Sequence, residues 1–261
     1  MSRIDKARAA YLARDKVALK AAHSPEAIHR SVHIEGHKTA FSLPEIILGG
    51  QDGLVNVLGI ILGVTAATAS VQLVIVAGLA AAFAESISMA AVAYTSTIAE
   101  ADYYQSEYER EKYEIEHLPE AEKNEVRELY RKYGFEGTIL EQIVEKITSN
   151  KDVWLSVMMD EELKLEAVDR GHALSAALIV GVSAIVGSFI PLVPYFFFPV
   201  GSATWIGLGL SALALFVVGF YKAKKTLGRK LIEQGIEMMV IGMVSALVGY
   251  LVGTFLKVKP M

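Results

Sequence analysis

The sequence predicts an all-α, polytopic membrane protein with five transmembrane helices and a water-facing helical domain inserted between the second and third. Three observations predict it. Of 261 residues, 53% are hydrophobic and only 21% charged, with a mean hydropathy of +0.39, too apolar for an ordinary soluble domain. Five apolar runs each approach the roughly 20 residues a helix needs to cross a bilayer. Between Ala99 and His172 the composition reverses, to 20 acidic and 10 basic residues with no run of spanning length.

The chain divides into a polar N-terminal segment (1–42), transmembrane helices one and two (43–98), the acidic helical domain (99–172) and transmembrane helices three to five (173–261). Ser24-Pro25-Glu26 reads as a helix start, with Ser as N-cap and Pro in the first turn. A short amphipathic helix is expected from there to about Thr39. Ser42 and Glu45 are spaced as a capping box, and the first span follows over 46–67. Thr68 to Ser70 turn the chain into the second span, 73–98. Within the acidic stretch, Pro119, Gly134 and Gly137 separate three or four amphipathic helices. Leu140, Ile143, Val144 and Ile147 mark one apolar face at helical spacing. The third span is 173–190. The segment from Pro191 to Pro199 is too proline-rich for regular helix, and its aromatics suit headgroup depth. The fourth span is 203–221, a basic loop follows (Lys222, Lys224, Lys225, Arg229, Lys230), and the fifth span is 235–256.

Charge orients the spans. Residues 1–45 and the basic loop carry 13 Lys and Arg on one side, against Lys257 and Lys259 on the other. The positive-inside rule therefore puts the N-terminus and the acidic domain in the cytosol. The chain has no cysteine, which excludes disulfides, thiolate zinc sites and iron–sulfur clusters. A net charge of −4 gives no reason to expect nucleic acid as a partner. The first 40 residues show no apolar run behind a basic start, so no cleavable secretory signal is expected. That favours a prokaryotic plasma membrane over a vacuolar one.

Two carboxylates stand where lipid should forbid them. Asp52 lies in the first span and Glu85 near the middle of the second, and a charge at bilayer centre costs about 2.5–3.5 kcal/mol on insertion scales. Glu45, Asp52 and Asn56 are spaced i, i+7, i+11 and share a helix face, as do Glu85 and Met89 at i, i+4. Together they sketch a polar path. The alternative is buried hydrogen-bonded acids that pin one helix to another.

In the acidic domain, Glu111 and Glu114 form one i, i+3 pair and Glu122 and Glu125 another, with Pro119 between them. A chain folded back at Pro119 brings the pairs together, and four crowded carboxylates repel unless a cation sits among them. Oxygen ligands suit divalent ions such as Mn2+ and Fe2+. A further segment holds Met158, Met159, Glu161 and Glu162, whose thioethers soften a site toward Fe2+. The competing reading is a solvated acidic surface. Glu114 and His117 also match one Glu-x-x-His step of di-iron bundles. His29, His33 and His37 line a helix stripe that suits either metal collection or a surface helix at the membrane. Gly49/Gly53, Gly59/Gly63 and Gly249/Gly253 are small-x-x-x-small pairs that serve either a dimer or internal packing.

With those residues in view, the chain resembles the vacuolar iron transporter family from about Pro44 to the fifth span. The matching pieces are Gln51-Asp52-Gly53-Leu54, Ser86 to Met89, Glu109 to Pro119, Tyr133-Gly134-Phe135, Trp154 to Leu163, and Pro191 to Val200. The resemblance implies a homodimer of five-span chains that carries cytosolic Fe2+, and often Mn2+, out of the cytosol in exchange for protons. It implies metal ligands at Glu111, Glu114, Glu122, Glu125, Met158, Met159 and Glu162, and pathway residues at Asp52 and Met89. Where relatives can carry an acid two turns before the methionine, this chain has Ala81, and its acid is Glu85, one turn later.

The expected function is therefore a divalent metal transporter rather than an enzyme, with no cofactor beyond the metal it binds and moves. Its partners would be metal ions, protons, the bilayer and a second copy. Metal and protons compete for the same carboxylates, which is a physical basis for exchange. A membrane-anchored di-iron oxidising or iron-storage protein is the rival reading, and a divalent-cation sensor a third.

Overall fold

The computed structural model describes residues 3–31, 43–68, 70–226 and 230–256, and every regular element among them is helical. The N-terminal segment holds α1 (Arg3–Leu12), α2 (Lys16–Ala22) and α3 (Pro25–Ser31). Asp15 caps α2 by accepting the N–H groups of Val17 and Ala18, and Ser24 Oγ accepts from Ala27 N at 3.2 Å at the start of α3. The helix expected to reach Thr39 is described only to Ser31. The stripe of His33, His37 and the His29 side chain lies outside the described residues, as does Ser42.

Among the described residues, five helices are long and apolar enough to cross a membrane: α4 (Leu43–Thr68), α5 (Val71–His117), α9 (His172–Leu192), α10 (Val200–Thr226) and α11 (Leu231–Phe255). Between α5 and α9 lie α6 (Pro119–Lys132), α7 (Gly137–Thr148), α8 (Lys151–Val157) and a π-helical turn, Met158–Glu162. Two expected boundaries move. The second helix does not end at 98 but runs unbroken for 47 residues, because 99–117 contain neither Gly nor Pro. The fourth continues to Thr226, so Lys222, Lys224 and Lys225 belong to a helix rather than a loop. The proline-rich stretch becomes the end of α9 and a 3-10 turn, Val193–Phe196.

By packing, the chain forms two units, Ile87–Ile179 and the residues on either side of it in sequence. In the flanking unit, Val57, Leu58, Ile61, Val74, Ala82, Leu192 and Ala246 form the core. Glycine lets its backbones touch. A Cβ on Gly53 would stand 2.3 Å from Ala184 O of α9, and one on Gly249 would stand 2.3 Å from Gly59 O of α4. The glycine pairs on α4 and α11 therefore pack within the chain, as close helix approach in lipid requires. Gly249→Val is expected to destabilise the α4–α11 contact by about 1–3 kcal/mol, read as a lowered unfolding midpoint in detergent. Gly201→Ala, whose Cβ meets nothing within 4 Å, should leave that midpoint unchanged.

In the Ile87–Ile179 unit, Ile115, Val126, Leu140, Val144, Trp154, Leu155, Met158 and Met159 make one core. The Arg127 fork to Glu141 ties α6 to α7 at 2.8 and 3.0 Å, and Tyr133 donates to Glu161 at 2.8 Å. Gly134 and Gly137 take positive φ at the α6–α7 turn, a conformation glycine adopts without penalty.

Candidate functional site

The acidic cluster grows from two helix faces on which a glutamate takes an apolar position. On α5, Ala101, Tyr104, Tyr108, Glu111 and Ile115 recur at 3–4 spacing, and the stripe is buried or half-buried throughout. On α6, Glu122 precedes Val126 by one turn, and both are buried. Glu111 is only 2% exposed and Glu122 3%. This signal was present in the sequence: a carboxylate in the register of a helix's core face marks a group with a purpose.

The structure brings Glu111, Glu114, Glu122, Glu125 and Glu162 into one mutually repelling group. Burial pushes the Glu122 carboxyl up to about 7, helped by Glu125, Glu111, Glu114 and Glu162. Glu162, on the more open side, also rises to about 7, through desolvation first and then through Glu125 and Glu111. Glu111 is raised by burial, with Arg110 opposing. One oxygen each of Glu111 and Glu122 is buried with no hydrogen-bond partner, as is Trp154 Nε1. An unpaired buried carboxylate oxygen is costly, a cost that a proton or a cation would relieve.

Glu162 reaches the cluster from the π turn, in which Leu163 N bonds Met158 O at 3.0 Å. Such widened turns recur at functional sites. Met158 and Met159 are buried in the unit's core beside the cluster. Glu125 is exposed. His117 is turned to Tyr113, bonding its carbonyl at 2.8 Å and stacking on its ring at 3.8 Å.

Arg110 was not among the expected site residues. Its guanidinium donates to Glu107 Oε2 at 2.8 Å and Glu114 Oε2 at 2.5 Å and forms an ion pair with Glu111 Oε1 at 2.6 Å. Among the described residues, no three His, Asp or Glu side chains already stand together at metal-holding distances. On α5, oxygens of Glu111 and Glu114 are taken up by Arg110.

The intramembrane acids form a second group, in the flanking unit. Asn56 Nδ2 donates to Glu85 Oε1, joining α4 to α5, and Asp52 is a further neighbour of Glu85. Asn56 is exposed, and Asp52 and Glu85 half-buried. On α4, Glu45, Asp52 and Asn56 turn away from the buried face of Leu54, Val57, Leu58 and Ile61. Met89 is half-buried, one turn beyond Glu85 on α5, and Ala81 one turn before it. A groove of about 1210 Å3 lies instead against Gln51 and Leu54 of α4, Ser183 of α9 and Tyr221 and Lys225 of α10, and no carboxylate lines it. Its lining among the described residues offers a dication no carboxylate, unlike the Asp52–Asn56–Glu85 face.

Comparison with known proteins bears on the family of the chain. The VIT family matches residues 43–254. "Vacuolar iron transporter 1" of Tulipa gesneriana is 32% identical over 220 residues, covering 84% of this chain and 89% of that protein. The protein of the same name from Arabidopsis thaliana is 35% identical over 216 residues, 82% of this chain and 86% of its own length. "Vacuolar iron transporter" of Plasmodium falciparum is 33% identical over 263 residues, 96% of this chain and 95% of its own. Those names refer to the vacuole and lend the expectation of a prokaryotic plasma membrane no support.

Proposed function

The chain belongs to the VIT family, and from that premise we propose that it is an integral-membrane transporter moving Fe2+, and Mn2+ with it, out of the cytosol in exchange for protons. The observation that carries the reading is the Asp52–Asn56–Glu85 group, held in apolar helices with Asn56 exposed and both acids only half-buried among the described residues. Facing lipid, those groups are expensive. A second copy covering that face, with Glu45 at its mouth and Met89 one turn past Glu85, gives them a polar lining that a dication can use. The homodimer is thus part of the proposal.

The cytosolic cluster of Glu111, Glu114, Glu122, Glu125 and Glu162, with Met158 and Met159, is proposed to collect the ion. Its role is to raise the local concentration of metal for the intramembrane acids. Each carboxyl must be ionised to bind metal, so metal entry expels protons and protonation releases metal. That reciprocity supports exchange. The excess of Lys and Arg in 1–45 and 222–230 supports placing the cluster on the cytosolic side.

Adding Fe2+ to sealed vesicles that contain the protein tests this reading against a membrane-anchored iron oxidase. Metal should enter the vesicles without matching oxygen consumption. Oxygen consumption without entry would favour the oxidase.

A further inference from the structure

The contacts of Arg110 go beyond those of a surface ion pair. A single guanidinium, 45% exposed, reaches three carboxylates. Two of them, Glu111 and Glu114, belong to the proposed metal-collecting cluster. Glu111 is divided between two states: Oε1 is held by Arg110, while Oε2 is buried and unpaired. Glu122 Oε2 is buried and unpaired as well. The cluster therefore carries one cation of its own, while two of its buried carboxylate oxygens have no partner.

A dication that takes oxygens from Glu111 and Glu114 needs the atoms the guanidinium now holds. Arginine cannot leave by losing its proton, so the conflict is resolved only by moving the side chain. Its exposure gives the head a route to water, and Glu107, outside the expected ligand set, is a place for it to stay bound. Displaced but tethered, its positive charge still stands near the ion and opposes it.

We infer that Arg110 is a tethered counter-cation that holds Glu111 and Glu114 in the metal-free state, swings aside when a divalent ion binds, and keeps that ion loosely held. The inference rests on the reading of the cluster as the metal-collecting site and adds its control. An antechamber that feeds a pathway must release what it captures, and a built-in competitor provides that without any change in the ligands.

The test is Mn2+ titration of the full chain in detergent, by calorimetry and by Mn2+ spin resonance, with release rates from chelator chase. Arg110→Gln should bind Mn2+ at least about tenfold more tightly and release it more slowly. Arg110→Lys, whose ammonium cannot fork across three carboxylates, should fall between that variant and the parent. Lys112→Gln removes the same charge from an exposed neighbouring position and should change affinity by less than about twofold, since a solvated charge is screened. Emission from the buried Trp154 reports whether each variant keeps its fold. Unchanged or weaker Mn2+ binding in folded Arg110→Gln, or an Arg110→Lys variant that matches the parent, overturns the inference, as does an equal gain from Lys112→Gln. If the parent binds no Mn2+, or Glu122→Gln binds as tightly as the parent, the metal-collecting reading itself fails.

Discussion

Asp52→Asn is expected to lower metal flux by about 100-fold or more, while Mn2+ binding to the Ile87–Ile179 unit stays within about twofold of the parent. The amide keeps the volume of the carboxylate and can still hydrogen-bond, now with one acceptor oxygen and an NH2 donor, but it carries no charge. Asp52 lies on the same open face of α4 as Asn56, whose amide bonds Glu85, and it is itself a neighbour of Glu85. If the acids merely pin α4 to α5, the isosteric amide should serve nearly as well and flux should persist. If they carry the ion, one fixed negative charge fewer at that depth leaves a dication without the compensation that makes entry possible. Flux into proteoliposomes and Mn2+ binding in detergent, measured on one preparation, separate the two. Normal flux would remove Asp52 from the pathway.

The second large effect is a reversal with pH. Glu122 and Glu162 sit at about 7, well above the ordinary 4.5. Below that value the metal-free cluster holds their protons, and a dication must expel them. Mn2+ binding should therefore be tight above pH 7 and weaken as pH falls through it, approaching about 100-fold per unit where both protons must leave. Repeating the calorimetry in buffers of different ionisation enthalpy counts the protons directly. The stability of the metal-free protein should run the other way. A carboxyl raised above its unfolded value contributes stability that is fully present below about 4.5 and is lost as pH rises through 7. The metal-free unit should thus unfold more readily at pH 8 than at pH 5, and Mn2+ should restore it at pH 8. Binding that is independent of pH between 6 and 8 would contradict the cluster's electrostatics.

What was legible in the sequence follows from which forces leave a trace in composition. The spanning helices were visible because each must bury a long apolar run, and the Pro119 break was visible because proline cannot continue a helix interior. The continuation of α5 past the expected span was not legible, because hydropathy changes at Ala99 while helix propensity does not. Glu111 and Glu122 were singled out by their spacing as pairs. Their core-face register, readable against Tyr104, Tyr108, Ile115 and Val126, was the stronger sign. The π turn at Met158–Glu162 left no trace, since one widened hydrogen-bond register requires no particular residue. Arg110 was hidden for a similar reason: among ten basic residues in that stretch, only geometry distinguishes the one that grips three carboxylates. The glycine pairs were plain as motifs, but a motif names a close approach without naming the helix approached.

If a dication crosses the membrane through these carboxylates, as proposed, protons must flow the other way. The most direct measurement is uptake of Fe2+ and Mn2+ into sealed vesicles containing only this protein, oriented with the acidic unit outside and a pH-sensitive dye within. Proton-coupled transport predicts metal entry that quickens when the interior is made acidic, and an interior that turns alkaline as metal arrives. No entry above that of protein-free vesicles, or entry that ignores the gradient and leaves interior pH unchanged, would contradict it.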